Sequence, residues 1–178
     1  MVVIHSFWRA NVKFLFVFAL FATAVNAAPI DVCSPQEGAK YFLSKWSEGE
    51  REFDILSRVE GDSFSLEEGK VVNVEDINGD GVKDAIFLSY SSGGSSGDFI
   101  HEFLVQCHGF MRNVGGEYFA DVKVLDSHSE ISQFRDIKVY SYKRDKQDQI
   151  MHKDGKPLTS EYVWRFNPET KLYEGESR

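Results

Sequence analysis

The sequence predicts a mainly β fold of the α+β class, in which one N-terminal helix packs on an antiparallel sheet or sandwich. From Phe53 onward, short runs rich in Val, Ile, Phe and Tyr alternate with clusters of Gly, Asp and Asn, a pattern typical of strands joined by turns. Before these runs, one segment beginning at Ser34 has apolar residues at helical spacing. Consecutive strands with short connections favour antiparallel pairing.

The helix is predicted from its start signal and its apolar stripe. Ser34 to Glu37 has the form of a capping box, with serine as the N-cap, Pro35 at the first helical position and glutamate three residues after the cap. The residues expected on one face are Ala39, Phe42, Leu43 and Trp46. Gly49 is expected to end the helix.

Eight strands are predicted after the helix. They lie near residues 55–59, 70–74, 84–90, 101–107, 117–124, 134–142, 161–166 and 172–174. Pro168 presets the turn between the last two strands. The charged segment 143–155 is predicted to be a solvated loop.

Residues 1–27 have the organisation of a cleavable signal peptide. Arg9 and Lys13 precede an apolar run over residues 14–25, and Ala27 supplies a small residue for cleavage. The apolar run is shorter than the roughly 20 residues of a membrane span. We therefore expect residues 28–178 to form a single periplasmic or secreted domain without a membrane anchor after cleavage.

The charge of this domain restricts its partners. Without Arg9 and Lys13, 18 basic residues face 28 acidic ones, which gives a net charge of −10. Such a surface repels nucleic acid and anionic lipid and suits hard cations or basic proteins. We expect no nucleic-acid partner.

Two cysteines, Cys33 and Cys107, are present in the predicted domain. An even count in an oxidising compartment favours a disulfide between them. The alternative is a thiol nucleophile, but neither cysteine lies in a CxxC motif or a recognisable catalytic signature.

Residues 76–84 have the spacing of a calcium loop. The oxygen-bearing side chains are Asp76, Asn78, Asp80 and Asp84, at positions one, three, five and nine. Calcium takes six to eight hard oxygen ligands, Gly81 permits a sharp turn, and Val82 can supply a backbone carbonyl. The alternative interpretation is an Asx-rich turn that never binds metal.

Position twelve of this loop is Phe87 rather than the bidentate glutamate of an EF-hand. The pattern of strand, DxNxDGxxD and strand over residues 71–88 resembles the calcium loop of the FG-GAP and VCBS repeats found in integrin-type propellers and bacterial surface proteins. The resemblance implies calcium as the cofactor, with Asp76, Asn78, Asp80 and Asp84 as side-chain ligands and Val82 as a backbone ligand. Because the chain holds one copy, the resemblance implies a compact β domain of the single-copy periplasmic type.

A second loop is a candidate contact with a protein partner. It comprises Ser92, Gly93, Gly94, Ser95, Ser96 and Gly97. Its glycines do not open onto a predicted helix, so a phosphate site is not expected. The segment is either a finger that enters a partner's cleft or a plain loop tip.

Three classes of function follow from these features. The first is a calcium-stabilised protein-binding module, in its sharper form an inhibitor or immunity protein that blocks a basic, cell-wall-cutting exported enzyme. The alternative is a periplasmic hydrolase of cell-wall or glycan material that uses acids such as Glu102 or Asp98 beside the metal loop. The third is a carbohydrate-binding module, which requires exposed aromatic rings at Trp164 and Tyr173.

Overall fold

The computed structural model describes residues 30–43, 52–59, 63, 65–91 and 98–176. The predicted signal peptide lies outside these residues. The described residues form twelve strands, and their bounds are β1 Lys40–Phe42, β2 Glu52–Val59, β3 Ser65–Glu75, β4 Asp84–Ser89, β5 Phe99–Gln106, β6 Met111–Phe119, β7 Asp121–His128, β8 Arg135–Tyr142, β9 His152–Lys153, β10 Lys156–Pro157, β11 Thr159–Asn167 and β12 Leu172–Glu174. Within the described residues, no helix is long and apolar enough to span a bilayer.

The architecture is a closed antiparallel barrel followed by a four-stranded antiparallel sheet. Strands β1 to β6 form the barrel in sequence order, and β1 closes it by pairing with both β2 and β6. The sheet has the order β12-β11-β8-β7, and β9 and β10 form a separate short hairpin. The prediction of an α+β fold with an open sheet or sandwich is therefore wrong, because the described part contains strands and no helix.

The predicted N-terminal helix fails for local reasons. The Asp31 carboxylate accepts hydrogen bonds from the backbone amides of Cys33 and Ser34, at 2.9 and 3.2 Å, which closes a turn where the helix was expected to begin. Gly38 has φ of 71°, outside the right-handed helical region. Tyr41 and Phe42 are then buried on opposite sides of a strand. The rest of the predicted helix, with Trp46 and Gly49, lies outside the described residues.

Two further predictions of local structure need correction. The single strand predicted over 117–124 is two strands, since β6 ends in the barrel and β7 begins in the sheet, with Ala120 between them. No Gly, Pro or Asn marks this junction, so the sequence pattern gave no sign of it. The segment 143–155, predicted as a loop, contains β9.

Two hydrophobic clusters hold the fold together. The smaller one fills one half of the barrel interior and consists of Phe42, Val71, Ala85, Phe87, Leu104 and Met111. The larger one joins the outside of the barrel to the sheet, through residues such as Ile86, Phe103 and Phe119 on the barrel side and Ile137 and Trp164 on the sheet side. Because successive residues of a strand point to opposite faces, β4 and β5 serve both clusters.

The predicted disulfide is confirmed. Cys33 and Cys107 are bonded, with their Cα atoms 5.7 Å apart and a separation of 74 positions in sequence. On the chain-entropy account, a bridge over such a loop contributes about 4 kcal/mol to stability. It fastens the segment before β1 to the turn between β5 and β6, and it is consistent with an oxidising compartment.

Candidate functional sites

The predicted metal loop connects β3 to β4 and closes on its own backbone. The Asp76 carboxylate accepts hydrogen bonds from the amides of Gly79 and Gly81, at 2.7 and 2.8 Å. Asp80 accepts one from the amide of Val82 at 2.7 Å, and Asn78 donates its side-chain amide to Asp80 at 2.9 Å. Gly79 and Gly81 both have positive φ, as the tight turn requires.

Asp84 differs from the other loop acids because it is completely buried. It accepts hydrogen bonds from the backbone amides of Ile77, Asn78 and Gln106, at 2.8, 3.2 and 2.8 Å. Burial raises the pKa of the Asp84 carboxyl to about 7, although the three amides act in the opposite direction. Among the described residues, no basic side chain forms an ion pair with Asp84.

The donor chemistry of the loop fits calcium, whereas its arrangement is that of an Asx-rich turn. Asp76, Asn78, Asp80 and the Val82 carbonyl offer hard oxygens, and the buried Asp84 charge would gain from a cation. In the described part, however, no group of three or more His, Cys, Asp or Glu side chains is arranged to hold a metal ion. Calcium binding therefore stays a prediction, and the contact between Asn78 and Asp80 would have to open for it.

The metal loop and the Ser/Gly loop lie at opposite ends of β4. The metal loop leads into Asp84, the first residue of the strand, and the Ser/Gly loop follows Ser89, the last. Five residue steps of about 3.3 Å separate these ends by roughly 17 Å. Residues 92–97 themselves lie outside the described residues, so their predicted finger-like role stays a prediction.

The barrel interior contains a polar layer that sequence reasoning did not find. Each of the six strands contributes one polar side chain to it, in the order Lys40, Ser57, Glu67, Ser89, Glu102 and Asn113. The Lys40 ammonium lies 2.7 Å from a carboxylate oxygen of both Glu67 and Glu102. The sequence does indicate one member of this layer, because Glu102 of β5 lies two residues from Leu104 and therefore on the same inward face. The alternation of residues along single strands does not show that polar positions of six strands meet.

The charges in the polar layer depend on one another. Burial raises the pKa of the Glu102 carboxyl, while the Lys40 ammonium acts in the opposite direction. Burial disfavours the charged form of Lys40, but Glu102 and Glu67 outweigh this effect and raise its pKa. The three groups therefore form one ion network inside the barrel, in which Glu102 is buried and Lys40 and Glu67 are half-buried.

This geometry does not favour the hydrolase alternative. Glu102 does have a carboxylate neighbour, Glu67, but the Lys40 ammonium occupies the place between them that a substrate atom would need. Asp98 lies before β5, at the end away from the metal loop, and forms an ion pair with Arg144 at 2.9 Å. Glu102 and Asp98, the two acids proposed for the hydrolase, therefore each belong to a different ion pair.

The aromatic rings proposed for sugar binding are buried, whereas three other aromatic residues are exposed at one end of the barrel. Trp164 and Tyr173, the rings required by the carbohydrate-module hypothesis, are buried in the larger cluster and cannot form an exposed platform. Three other aromatic residues, Tyr90, Phe99 and Tyr118, have 41%, 37% and 40% of their surface exposed. They lie just after β4, at the start of β5 and near the end of β6, and we call this group the aromatic end.

The aromatic end is built by three neighbouring strands. Tyr90 directly follows β4, and its ring packs edge-on against that of Phe99, the first residue of β5, with centroids 6.1 Å apart. Tyr118 lies on β6 and pairs with Ile100 of β5. Ser89 and Glu67 of the polar layer lie at this same end. The exposed rings and part of the polar layer therefore lie at the same end of the barrel.

Comparison with protein-family models, curated proteins and solved structures finds no match to this chain. The function must therefore be argued from the sites described above.

Proposed function

We propose that this chain is an exported protein-binding module that contacts its partner through the aromatic end. The observation that carries the proposal is the exposure of Tyr90, Phe99 and Tyr118 on or next to neighbouring strands at one end of the barrel. Aromatic residues are enriched in protein interfaces because they bury a large area at a low cost in side-chain entropy. Their concentration at one end of a small domain favours a docking role over a packing role.

The sharper form of the proposal is inhibition of a basic, cell-wall-cutting enzyme. The net charge of −10 for residues 28–178 would attract a basic partner and accelerate the encounter. The Ser/Gly loop would enter the cleft of the enzyme, where serine hydroxyls and free backbone amides can bond to polar active-site groups. The exposed rings would pack around the rim of that cleft.

Calcium has a stabilising role in this proposal, separate from the contact with the partner. Bound at the 76–84 loop, it would hold the β3–β4 connection and neutralise the buried Asp84 carboxylate. The loop lies at the other end of β4 from the aromatic end. Calcium would therefore stabilise the domain without contacting the partner.

The experiment measures inhibition of a basic lysozyme on peptidoglycan by the mature protein, its Tyr90→Ala/Phe99→Ala double variant and a variant lacking Gly93 to Gly97. Truncated interface aromatics commonly cost about 2 kcal/mol or more, so we expect at least a tenfold weaker inhibition for the double variant. The deletion should abolish inhibition. Ile131→Ala is the control, because it removes a still more exposed apolar side chain outside the aromatic end.

The possible outcomes separate the parts of the proposal. Inhibition that survives loss of Gly93 to Gly97 would exclude the loop as the inhibitory element. Inhibition weakened equally by Ile131→Ala would exclude the aromatic end as the specific contact. An absence of inhibition would exclude lysozyme-type enzymes as the target.

A further inference from the structure

A cavity of about 430 Å³ lies at one end of the four-stranded sheet. Its walls come from the end of β8, the loop that follows it, and β11. The lining residues are Ser141, Tyr142, Lys143, Arg144, Asp148, Met151, Ser160 and Tyr162. This volume is within the range of roughly 300 to 1,000 Å³ that small-molecule sites occupy.

The floor of the cavity carries two facing hydroxyl groups. Ser141 of β8 and Ser160 of β11 are directly paired across the sheet. They lie on the same sheet face as the core residues Val139 and Trp164, since residues two apart on a strand share a face. The face that is apolar against the barrel therefore becomes polar at this end.

Ser141 has an unmet hydrogen-bonding capacity. Only 6% of its surface is exposed, and its hydroxyl has no hydrogen-bond partner among the described residues. A buried hydroxyl without a partner lowers stability, and such groups are uncommon in folded proteins. A polar ligand in the cavity would satisfy it once the Ser141 side chain rotates to turn its hydroxyl toward the cavity.

The charged groups at the cavity balance one another. Arg144 is held by Asp98, at 2.9 Å, and by the backbone carbonyl of Asp148, also at 2.9 Å. Its side chain is therefore fixed as a planar group in the wall. With Lys143, two cations face the two acids Asp98 and Asp148, so the site favours neither an anion nor a cation.

Tyrosine residues complete the lining. Tyr162 is half-buried and lies on the same sheet face as Ser141 and Ser160, so part of its ring is offered to the cavity, which Tyr142 also borders. A sugar ring presents C–H groups on its faces and hydroxyl groups along its edge, and the aromatic surface and the serine hydroxyls complement both. We propose that this cavity binds a neutral saccharide ring. The site differs from the aromatic end and does not depend on the proposed protein partner.

The test is a two-dimensional NMR titration of the mature protein with glucose and N-acetylglucosamine. We expect saturable shifts confined to the amides of residues 141–144, 148–151 and 159–162. Glucuronate and glucosamine, which carry a negative and a positive charge, should bind more weakly than the neutral sugars. Loss of one hydroxyl contact in Ser141→Val should weaken binding about fivefold.

The control and a second variant make the result interpretable. Ser129→Ala removes another hydroxyl without a partner, outside the cavity, and should leave the affinity unchanged. If Ser141→Val does not fold, Ser160→Ala tests the same floor of the cavity. Shifts elsewhere, no shift with either neutral sugar, tighter binding of a charged sugar, or full affinity in the folded Ser141 and Ser160 variants would each overturn the proposal. Lysozyme inhibition by Ser141→Val should match the wild type, which separates this test from that of the aromatic end.

Discussion

At the scale of single residues, Arg112 is the least expected feature of the structure. Only 2% of its surface is exposed, and its Nη2 donates a hydrogen bond to the Gln36 side chain at 3.1 Å. The guanidinium lies 5.2 Å from the centre of the Tyr41 ring. Within the described part of the chain, its Nε and Nη1 atoms have no hydrogen-bond partner. A buried cation with so few partners lowers stability.

We therefore predict that Arg112→Met leaves the free energy of unfolding unchanged or raises it by up to about 1 kcal/mol. The reason is that the substitution removes the cost of burying the charge. Denaturant unfolding measures the change. Arg135→Met is the matched control, since Arg135 bonds to Glu75, Asp126 and the Leu125 carbonyl, and its loss should cost about 1 kcal/mol or more. A greater loss in the Arg112 variant than in the Arg135 variant would show that Arg112 has an anionic partner.

At the scale of elements, the metal loop gives the clearest test of the family resemblance. We predict that calcium raises the melting temperature of the mature protein and that EGTA reverses the effect. A ligand that binds only the native state stabilises it by about 2.7 kcal/mol when its free concentration is 100 times Kd. Differential scanning calorimetry measures the shift.

Two variants separate metal binding from a general effect of charge. Asp80→Ala should remove the calcium shift, because Asp80 supplies an exposed carboxylate to the loop. Glu130→Ala, which removes an exposed acid outside the loop, should retain it. If calcium has no effect on the wild type, the loop is a turn held by its own hydrogen bonds, and the calcium part of the proposed function fails.

At the scale of the whole molecule, the barrel and the sheet are expected to unfold together. Strands β4 and β5 contribute to both hydrophobic clusters, so the sheet loses its core without the barrel, and the barrel loses the packing of its outer face without the sheet. Phe134 is buried on the sheet side, where its ring stacks on that of Phe166 with centroids 3.6 Å apart. Leu104 is buried inside the barrel.

We predict that Phe134→Ala and Leu104→Ala each lower the global stability by about 3 kcal/mol. Because the clusters are joined, each variant should accelerate hydrogen exchange of the slowest amides in both the barrel and the sheet to a similar extent. Hydrogen exchange followed by NMR provides this comparison. Faster exchange confined to the sheet in Phe134→Ala would show that the two layers are independent.

Much of the local structure could be predicted from the sequence. The alternating apolar runs placed β4, β8 and β11 within a few residues of their observed bounds, and the two cysteines predicted the disulfide. The Gly and Asp spacing placed a tight loop between two strands, and the positive φ angles of Gly79 and Gly81 agree with it. These features depend on neighbours in the chain, so a local pattern is enough to predict them.

Tertiary structure alone decided how the strands close and what meets inside them. The three residues of β1 are too few to show a period of two, so their aromatic pair fitted a helix equally well until pairing with β2 and β6 made them a strand. The Lys40, Glu67 and Glu102 network, the aromatic end and the serine pair of the cavity join residues far apart in the chain. The spacing of residues along a strand predicts on which face of the strand each side chain lies. Which of these faces come together is determined by the closure of the barrel.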